Sequence, residues 1–204
     1  MYTEMKKNQT KQKVVDAASF LFFQKGFHGT SVRDIARRAS VNVSLISYYF
    51  NGKQGLLEYA VTNYFETYMK LLEEELEHNS SLTTIKKMKK VIEVIIKYRT
   101  EHFQLTSFIH RELSLDSTFV REMSVTYLAK ENHLISTLFF SILNSTQQKQ
   151  RSYLYMQLKG MILTPFIIQH EWNIQLFDQY AYQNFINSYT QTIHQWIDFL
   201  ITSE

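Results

Sequence analysis

The chain has 204 residues, with 22 Lys/Arg against 19 Asp/Glu, five glycines, one proline and no cysteine. The lack of cysteine excludes a disulfide framework, a thiolate metal site and a cysteine nucleophile, and it suits a cytoplasmic protein. So few glycines and prolines leave little punctuation for a many-stranded fold, while aromatic residues at 15% are enough for a sizeable core.

The opening stretch MYTEMKKNQTKQK has no apolar signal core, and the longest apolar run, residues 161–168, is far short of the ~20 residues that span a bilayer. Neither secretion nor membrane insertion is expected. Charge is uneven along the chain. Residues 1–60 carry nine Lys/Arg against four Asp/Glu, and residues 61–204 carry thirteen against fifteen. A basic segment attracts the phosphate backbone of nucleic acid and supplies the salt-dependent, sequence-blind part of affinity.

The first predicted helix runs from about Thr10 to Lys25, with Val14, Ala17, Ala18, Leu21 and Phe22 at helical spacing and Gly26 as its C-terminal stop. The second opens at Ser31, whose hydroxyl can cap free amides, with Asp34 favouring the helix dipole. It buries Val32, Ile35, Ala36 and Ala39 and exposes Arg33, Arg37 and Arg38. The third is short, Val43 to Tyr49, capped by Asn42, and Asn51-Gly52 ends it. A fourth starts near Lys53 and runs to about Glu77. Helix, short turn, second short helix is the pattern that lays its second helix in the major groove of DNA.

The rest of the chain is expected to be helical almost throughout, with breaks at residues 78–81, 113–117, 143–148 and 172–175. No period-2 alternation bounded by hairpin turns is present. The fold expected is all-α, eight to ten helices in number, with a three-helix helix-turn-helix head over residues 1–55 and a helical regulatory and dimerisation body over residues 56–204.

On the third helix, Val41, Ile46 and Phe50 are expected to face the core. Val43, Ser44, Leu45 and Ser47 are then the base-reading candidates, since Ser hydroxyls pair with base edges and Val or Leu contact thymine methyl groups. Thr30, Arg33, Tyr48, Tyr49 and Lys53 flank that surface as phosphate candidates, which position the protein without specifying sequence.

The segment GTSVRDIARRASVNVSLISYYFNGKQGLL resembles the DNA-binding signature of the TetR family, over about residues 10–60. The matching elements are Thr30-Ser31, Asp34-Ile35-Ala36, Ala39 and Val41 around the turn, Tyr48 and Phe50 at the end of the recognition helix, and Lys53 with Leu56-Leu57. The resemblance implies an all-α homodimer, a DNA-binding head, a variable body that often holds a ligand, and phosphate contacts at the Tyr48 and Lys53 positions. Two positions depart from the family pattern: Ser44 stands where a glycine is common, and Ser47 where an aromatic is common. No operator sequence can therefore be carried over. ISYYFNGKQGLLE, with HGTSVRD before it, also resembles the narrower RefZ-like branch of spore-forming Bacilli. That branch implies a nucleoid-associated DNA binder acting on cell division during sporulation through the tubulin-like protein FtsZ.

In the body, Tyr182, Ile186, Tyr189, Ile193, Trp196 and Leu200 step by 4, 3, 4, 3, 4, and so do Leu154, Leu158, Met161, Pro165, Ile168 and Trp172. Such seams are what one helix offers another in a bundle. Leu154, Leu158, Met161, Ile186, Ile193, Trp196 and Leu200 are the candidates for a dimer interface, the alternative being a purely intrachain core. A symmetric dimer would read a palindromic double-stranded site. Pro165 predicts a kink or break near residues 161–165. Tyr98, Phe103, Phe108, Tyr127, Phe139 and Phe140 could line a pocket for a small-molecule effector, or fill the core. Arg111 and Glu112 form a candidate partner surface, against the alternative of a solvated helix end. No metal site, cofactor site or enzymatic motif is evident. Two functions compete: a DNA-bound adaptor for another protein, and a small-molecule-responsive transcriptional repressor.

Overall fold

The computed structural model describes residues 2–79, 81–112, 122–167 and 179–202. Among these residues the fold is all-α, with nine α-helices and no strand. They are α1 (Tyr2–Lys25), α2 (Val32–Ala39), α3 (Val43–Phe50), α4 (Lys53–His78), α5 (Thr84–Glu101), α6 (Phe103–Glu112), α7 (Ala129–Phe140), α8 (Arg151–Ile167) and α9 (Gln179–Thr202). A π-helical turn, Ser124–Leu128, leads into α7, and a 3₁₀ turn, Gln147–Gln150, leads into α8. The expected breaks at residues 113–117 and 172–175 lie outside the described residues, as do Ile168, Trp172 and the side chain of Tyr182.

The chain divides into two compact units, Met1–Thr67 with His102–Ser114, and Tyr68–Glu101 with Leu115–Glu204. In the first, the core is Val14, Ala18 and Phe22 of α1, Ile35 and Ala36 of α2, Ile46 and Phe50 of α3, Leu56 and Val61 of α4, and Phe108 of α6. Phe22 stacks on Phe108 at 5.4 Å, and the Tyr64 hydroxyl meets the Thr106 hydroxyl at 2.9 Å in the interior. The junction between α5 and α6 at His102 carries no Gly or Pro, and the sequence alone did not mark it. It lets α6 join the head.

Two details differ from expectation. Helix α1 begins at Tyr2, not near Thr10, and Thr10 is an interior residue whose hydroxyl donates to the Lys6 carbonyl one turn back at 2.9 Å. Helix α8 passes through Pro165 without ending there. Proline lacks the amide that would bond residue 161. The Tyr189 hydroxyl donates to that Met161 carbonyl at 2.8 Å and replaces the missing bond.

In the second unit, Ile92, Ile95, Phe139, Leu158, Ile162, Phe166, Ile193 and Ile197 form the core. An ion pair lies inside it. Arg99 of α5 donates to Glu131 of α7 at 2.7 Å, with side chains only 3% and 2% exposed. The Arg99 guanidinium also lies 5.6 Å from the Tyr68 ring, which stacks on Tyr98. At the edge of the same cluster, burial holds the Lys159 ammonium below its ordinary range and pushes the Tyr155 hydroxyl up, with Glu131 adding to the rise in Tyr155. Lys89 reaches both carboxylate oxygens of Asp198 at 2.6 Å, joining α5 to α9.

Candidate nucleic-acid interface

Caps set the helix-turn-helix geometry. Ser31 is extended (φ −99°), and its Oγ accepts from the Asp34 amide at 3.1 Å while donating to the Asp34 carboxylate at 2.7 Å. This reciprocal pair satisfies two groups at the start of α2. The Ser31 hydroxyl, followed by Arg37, which pairs with the same carboxylate, holds Asp34 below the usual carboxylate range. The turn to α3 pivots on Ser40, left-handed at φ 54°, whose amide donates to the Ala36 and Arg37 carbonyls. Asn42 Oδ1 caps α3 by accepting from the Ser44 amide at 2.9 Å.

The exit from α3 is equally constrained. Asn51 is left-handed (φ 57°) and Gly52 sits at φ 98°. Gly55 has no room for a Cβ, which would run into the Phe50 carbonyl. The first turn of α4 therefore closes tightly on the end of α3.

With Ile46 and Phe50 buried, α3 turns Val43, Ser44, Ser47 and Tyr48 outward, with Tyr48 75% exposed. Positions 43 and 47, and 44 and 48, are one turn apart and share this face. Leu45 is half-buried, as are Val41 and Val32. The Ser44 hydroxyl donates to Asn42 Oδ1 at 2.8 Å, so its lone pairs are what it presents outward. An acceptor there suits the amino group of cytosine or adenine in the major groove. Arg33 and Arg37 are exposed on α2, while Arg38 stacks on the Phe20 ring with the guanidinium carbon 3.3 Å from its centroid.

Two phosphate candidates have a different position from the one expected. Thr30 is 2% exposed. Its hydroxyl is turned inward to the Gly26 and Leu21 carbonyls, at 2.8 and 3.1 Å, beside the C-terminal end of α1. Thr30 therefore caps α1 and its side chain does not reach a phosphate. Lys53 donates from Nζ to the Phe27 and Thr30 carbonyls, both at 2.8 Å, with its ammonium 4.3 Å from the centre of the Phe27 ring. It fastens the α1–α2 loop to α4 and keeps one further donor for a phosphate. Tyr49 is half-buried, and two lysine ammonium groups of α1 lie over its ring.

The candidate residues outside the DNA-reading face also divide. Arg111 donates to the Phe22 and Phe23 carbonyls at 2.7 and 3.0 Å, and so caps the C-terminal end of α1. Arg111 is exposed and Glu112 half-buried, so at the candidate partner surface Arg111 also has this capping role. Phe103 and Phe108 pack against Phe23 and Phe22 in the head, whereas Tyr98 and Phe139 are core of the second unit. Of the dimer candidates, Leu158, Ile186 and Ile193 are 0%, 3% and 0% exposed and belong to the chain's own core. Leu154, Met161, Trp196 and Leu200 are half-buried, and Trp196 stacks on Phe139 at 6.2 Å. Among the described side chains, the large apolar ones left outward on these two helices are Tyr153, Met156, Ile167 and Phe199. A groove of about 440 Å³ runs between α5 and α9, lined by polar and apolar side chains, among them Glu93, Ile96, Lys97, Gln183, Ile186 and Asn187. Among the described residues there is no cluster of His, Asp or Glu fit to hold a metal ion, and no helix long and apolar enough to cross a membrane.

Capped short helices, an outward polar and aromatic face on the second of them, and flanking cations define a helix-turn-helix DNA-binding protein. Comparison with known proteins agrees. The profile of the bacterial regulatory proteins of the tetR family matches residues 14–60. YttP of Bacillus subtilis (strain 168), described as a probable HTH-type transcriptional regulator, is 38% identical over 198 residues, covering 94% of this chain and 93% of that protein. A TetR-like transcriptional regulator from Rhodococcus sp. RHA1 superposes with a TM-score of 0.71 at 16% identity, over 96% of this chain and 97% of the other. HlyIIR, a hemolysin II transcriptional regulator, does so with a TM-score of 0.60 at 22% identity, over 96% and 98%. The two structural likenesses carry the fold alone. The chain belongs to the TetR family of bacterial regulatory proteins, as a DNA-binding transcriptional regulator.

Proposed function

We propose that the protein is a sequence-specific DNA binder that acts as a homodimer on a palindromic site and, like the RefZ-like branch it resembles, links chromosomal sites to control of cell division through FtsZ. The observation that carries the DNA part is the outward face of α3, with Val43, Ser44, Ser47 and Tyr48 on one side of a helix whose other side is locked into the head. Tyr48 and the remaining Lys53 donor would position it on phosphates, with Arg33, exposed on α2, as a further cation. A second copy would cover Tyr153, Met156 and Ile167 of α8 and Phe199 of α9, apolar side chains that a lone chain leaves in water. The adaptor reading is supported by the interior of the body, where Tyr68, Tyr98, Phe139 and the Arg99–Glu131 pair fill the space.

The second reading, a repressor released by a small molecule, is favoured by one feature, the groove between α5 and α9. Its volume of about 440 Å³ lies in the range of small-molecule sites. Its mixed lining, Ile96 and Ile186 beside charged and amide groups, would suit a small amphipathic effector.

Selecting bound fragments from the source organism's own genome separates the two. A few palindromic sites placed by chromosome position, with the pure protein altering FtsZ assembly, support the adaptor. Sites concentrated in promoters, with DNA released by a small-molecule ligand, support the repressor and sink the division reading.

A further inference from the structure

The first three turns of α1 contain a feature the DNA-reading face does not account for. Lys7 and Lys11, one turn apart, both direct their ammonium groups over the Tyr49 ring, at 5.9 and 5.8 Å from its centre. Lys11 also lies 5.5 Å from the Tyr59 ring. Tyr49 is the neighbour of Tyr48 at the end of the recognition helix, and the two rings meet edge to face at 5.0 Å. Tyr59 in turn packs edge-on against Phe50 at 5.1 Å. All of these residues belong to the head unit.

Two like charges one helical turn apart repel, and an exposed lysine side chain ordinarily gains by pointing into water. Aromatic faces offset part of that cost, because the ring quadrupole attracts cations within about 6 Å. The effect is a pair of ammonium groups held at the end of α3 before any partner arrives. Neither lysine has a carboxylate partner among the ion pairs of the described residues. Lys7 is exposed and Lys11 half-buried.

We infer that Lys7 and Lys11, held on the Tyr49 and Tyr59 rings, form a second phosphodiester-binding site that extends the DNA footprint beyond the recognition helix. Tyr49 is then a positioning residue acting through its ring face, not a hydroxyl donor to phosphate. The inference rests on DNA binding by the head. It gives α1 upstream of Val14 a purpose: among the described side chains this stretch contributes nothing fully buried to the core, yet it carries Lys6, Lys7, Lys11 and Lys13.

The test is the salt dependence of binding by the full chain to a mixed-sequence duplex of about 40 base pairs, long enough for sequence-independent contacts to dominate. Each phosphate contact contributes about 0.9 to the slope of log affinity against log salt. Lys7→Gln/Lys11→Gln should flatten the slope by about 1.8 and weaken binding by roughly 10- to 30-fold at 0.15 M salt. Tyr49→Leu should reproduce much of that flattening, and Tyr49→Phe, which keeps the ring, should restore it. An unchanged slope in the double variant overturns the site. Equal defects in Tyr49→Phe and Tyr49→Leu overturn the ring mechanism and return Tyr49 to direct hydroxyl contact. Failure of the wild-type chain to bind the duplex would be a separate result, against DNA binding itself.

Discussion

Lys53 offers the sharpest test of how the head is built, because one side chain serves the fold and the DNA surface together. In Lys53→Met the apolar stem stays and the ammonium goes. Two charge-assisted hydrogen bonds of 2.8 Å are lost, to the Phe27 and Thr30 carbonyls, together with the contact to the Phe27 ring. A hydrogen bond to a charged group contributes about 1.5–3 kcal/mol, and a half-exposed one sits at the low end of that range. The Phe27 carbonyl keeps a partner, the Thr30 amide at 3.3 Å. The expected cost is therefore about 2–3 kcal/mol, less than two full bonds. Both tryptophans lie outside the head, at positions 172 and 196, so their fluorescence does not report on it. Native-state hydrogen exchange at the amides of α2 and α3 does, since it reads the opening free energy locally. DNA binding should also weaken for all sequences alike, with the salt slope flattened by about 0.9. Opening free energies within about 0.5 kcal/mol of wild type would refute the loop-fastening role. An altered sequence preference would refute the phosphate role.

Other outcomes follow from single features. Glu131→Ala removes the carboxylate from the buried Arg99 guanidinium and should destabilise the body by about 3–5 kcal/mol in urea unfolding, whereas Arg99→Met/Glu131→Leu together should cost far less; equal losses would mean that packing, not charge, dominates there. Ser40→Gly relieves a left-handed residue in the turn, and should stabilise the head by about 0.5–1 kcal/mol after the entropy of the unfolded glycine is counted; a loss of stability would show that the serine side chain matters. His194 is held below its ordinary value mainly by burial, which outweighs its bond to the Lys89 carbonyl. Its folded pKa is thus lower than its unfolded one, so its contribution is fully present above the unfolded value of about 6.5 and is lost as pH falls through the folded pKa. The thermal stability of the body should fall on acidification below that value, and His194→Gln should remove this part of the pH dependence; an unchanged pH profile in the variant would contradict it.

The helix-turn-helix was legible in the sequence because its information is local. Ser31 with Asp34, Asn42 with Ser44, and Asn51-Gly52 are caps whose chemistry acts over two to four residues, and they fell where the sequence placed them. The all-α fold and the buried set Val14, Ala17, Ala18, Leu21 and Phe22 were likewise readable from helical spacing. What the sequence could not determine was the destination of each polar group. Thr30 and Lys53 have side chains suited to a phosphate, but their partners are carbonyls 4 to 26 residues away, in or next to the loop that follows α1. Arg111 finds the same helix end from 89 positions along the chain.

Only tertiary structure decided which face of an evenly apolar helix turns inward. The 3–4 spacing on α8 and α9 identified seam positions, yet Leu158, Ile186 and Ile193 are core while Met156 and Phe199 stay outside. Spacing fixes angles around a helix axis, and the neighbours that fill one side are set by contacts distant in sequence. The same reason hid Lys7 and Lys11: a polar stretch with no apolar period gives no sign of helix, and the Tyr49 ring that receives both ammonium groups lies on another element altogether.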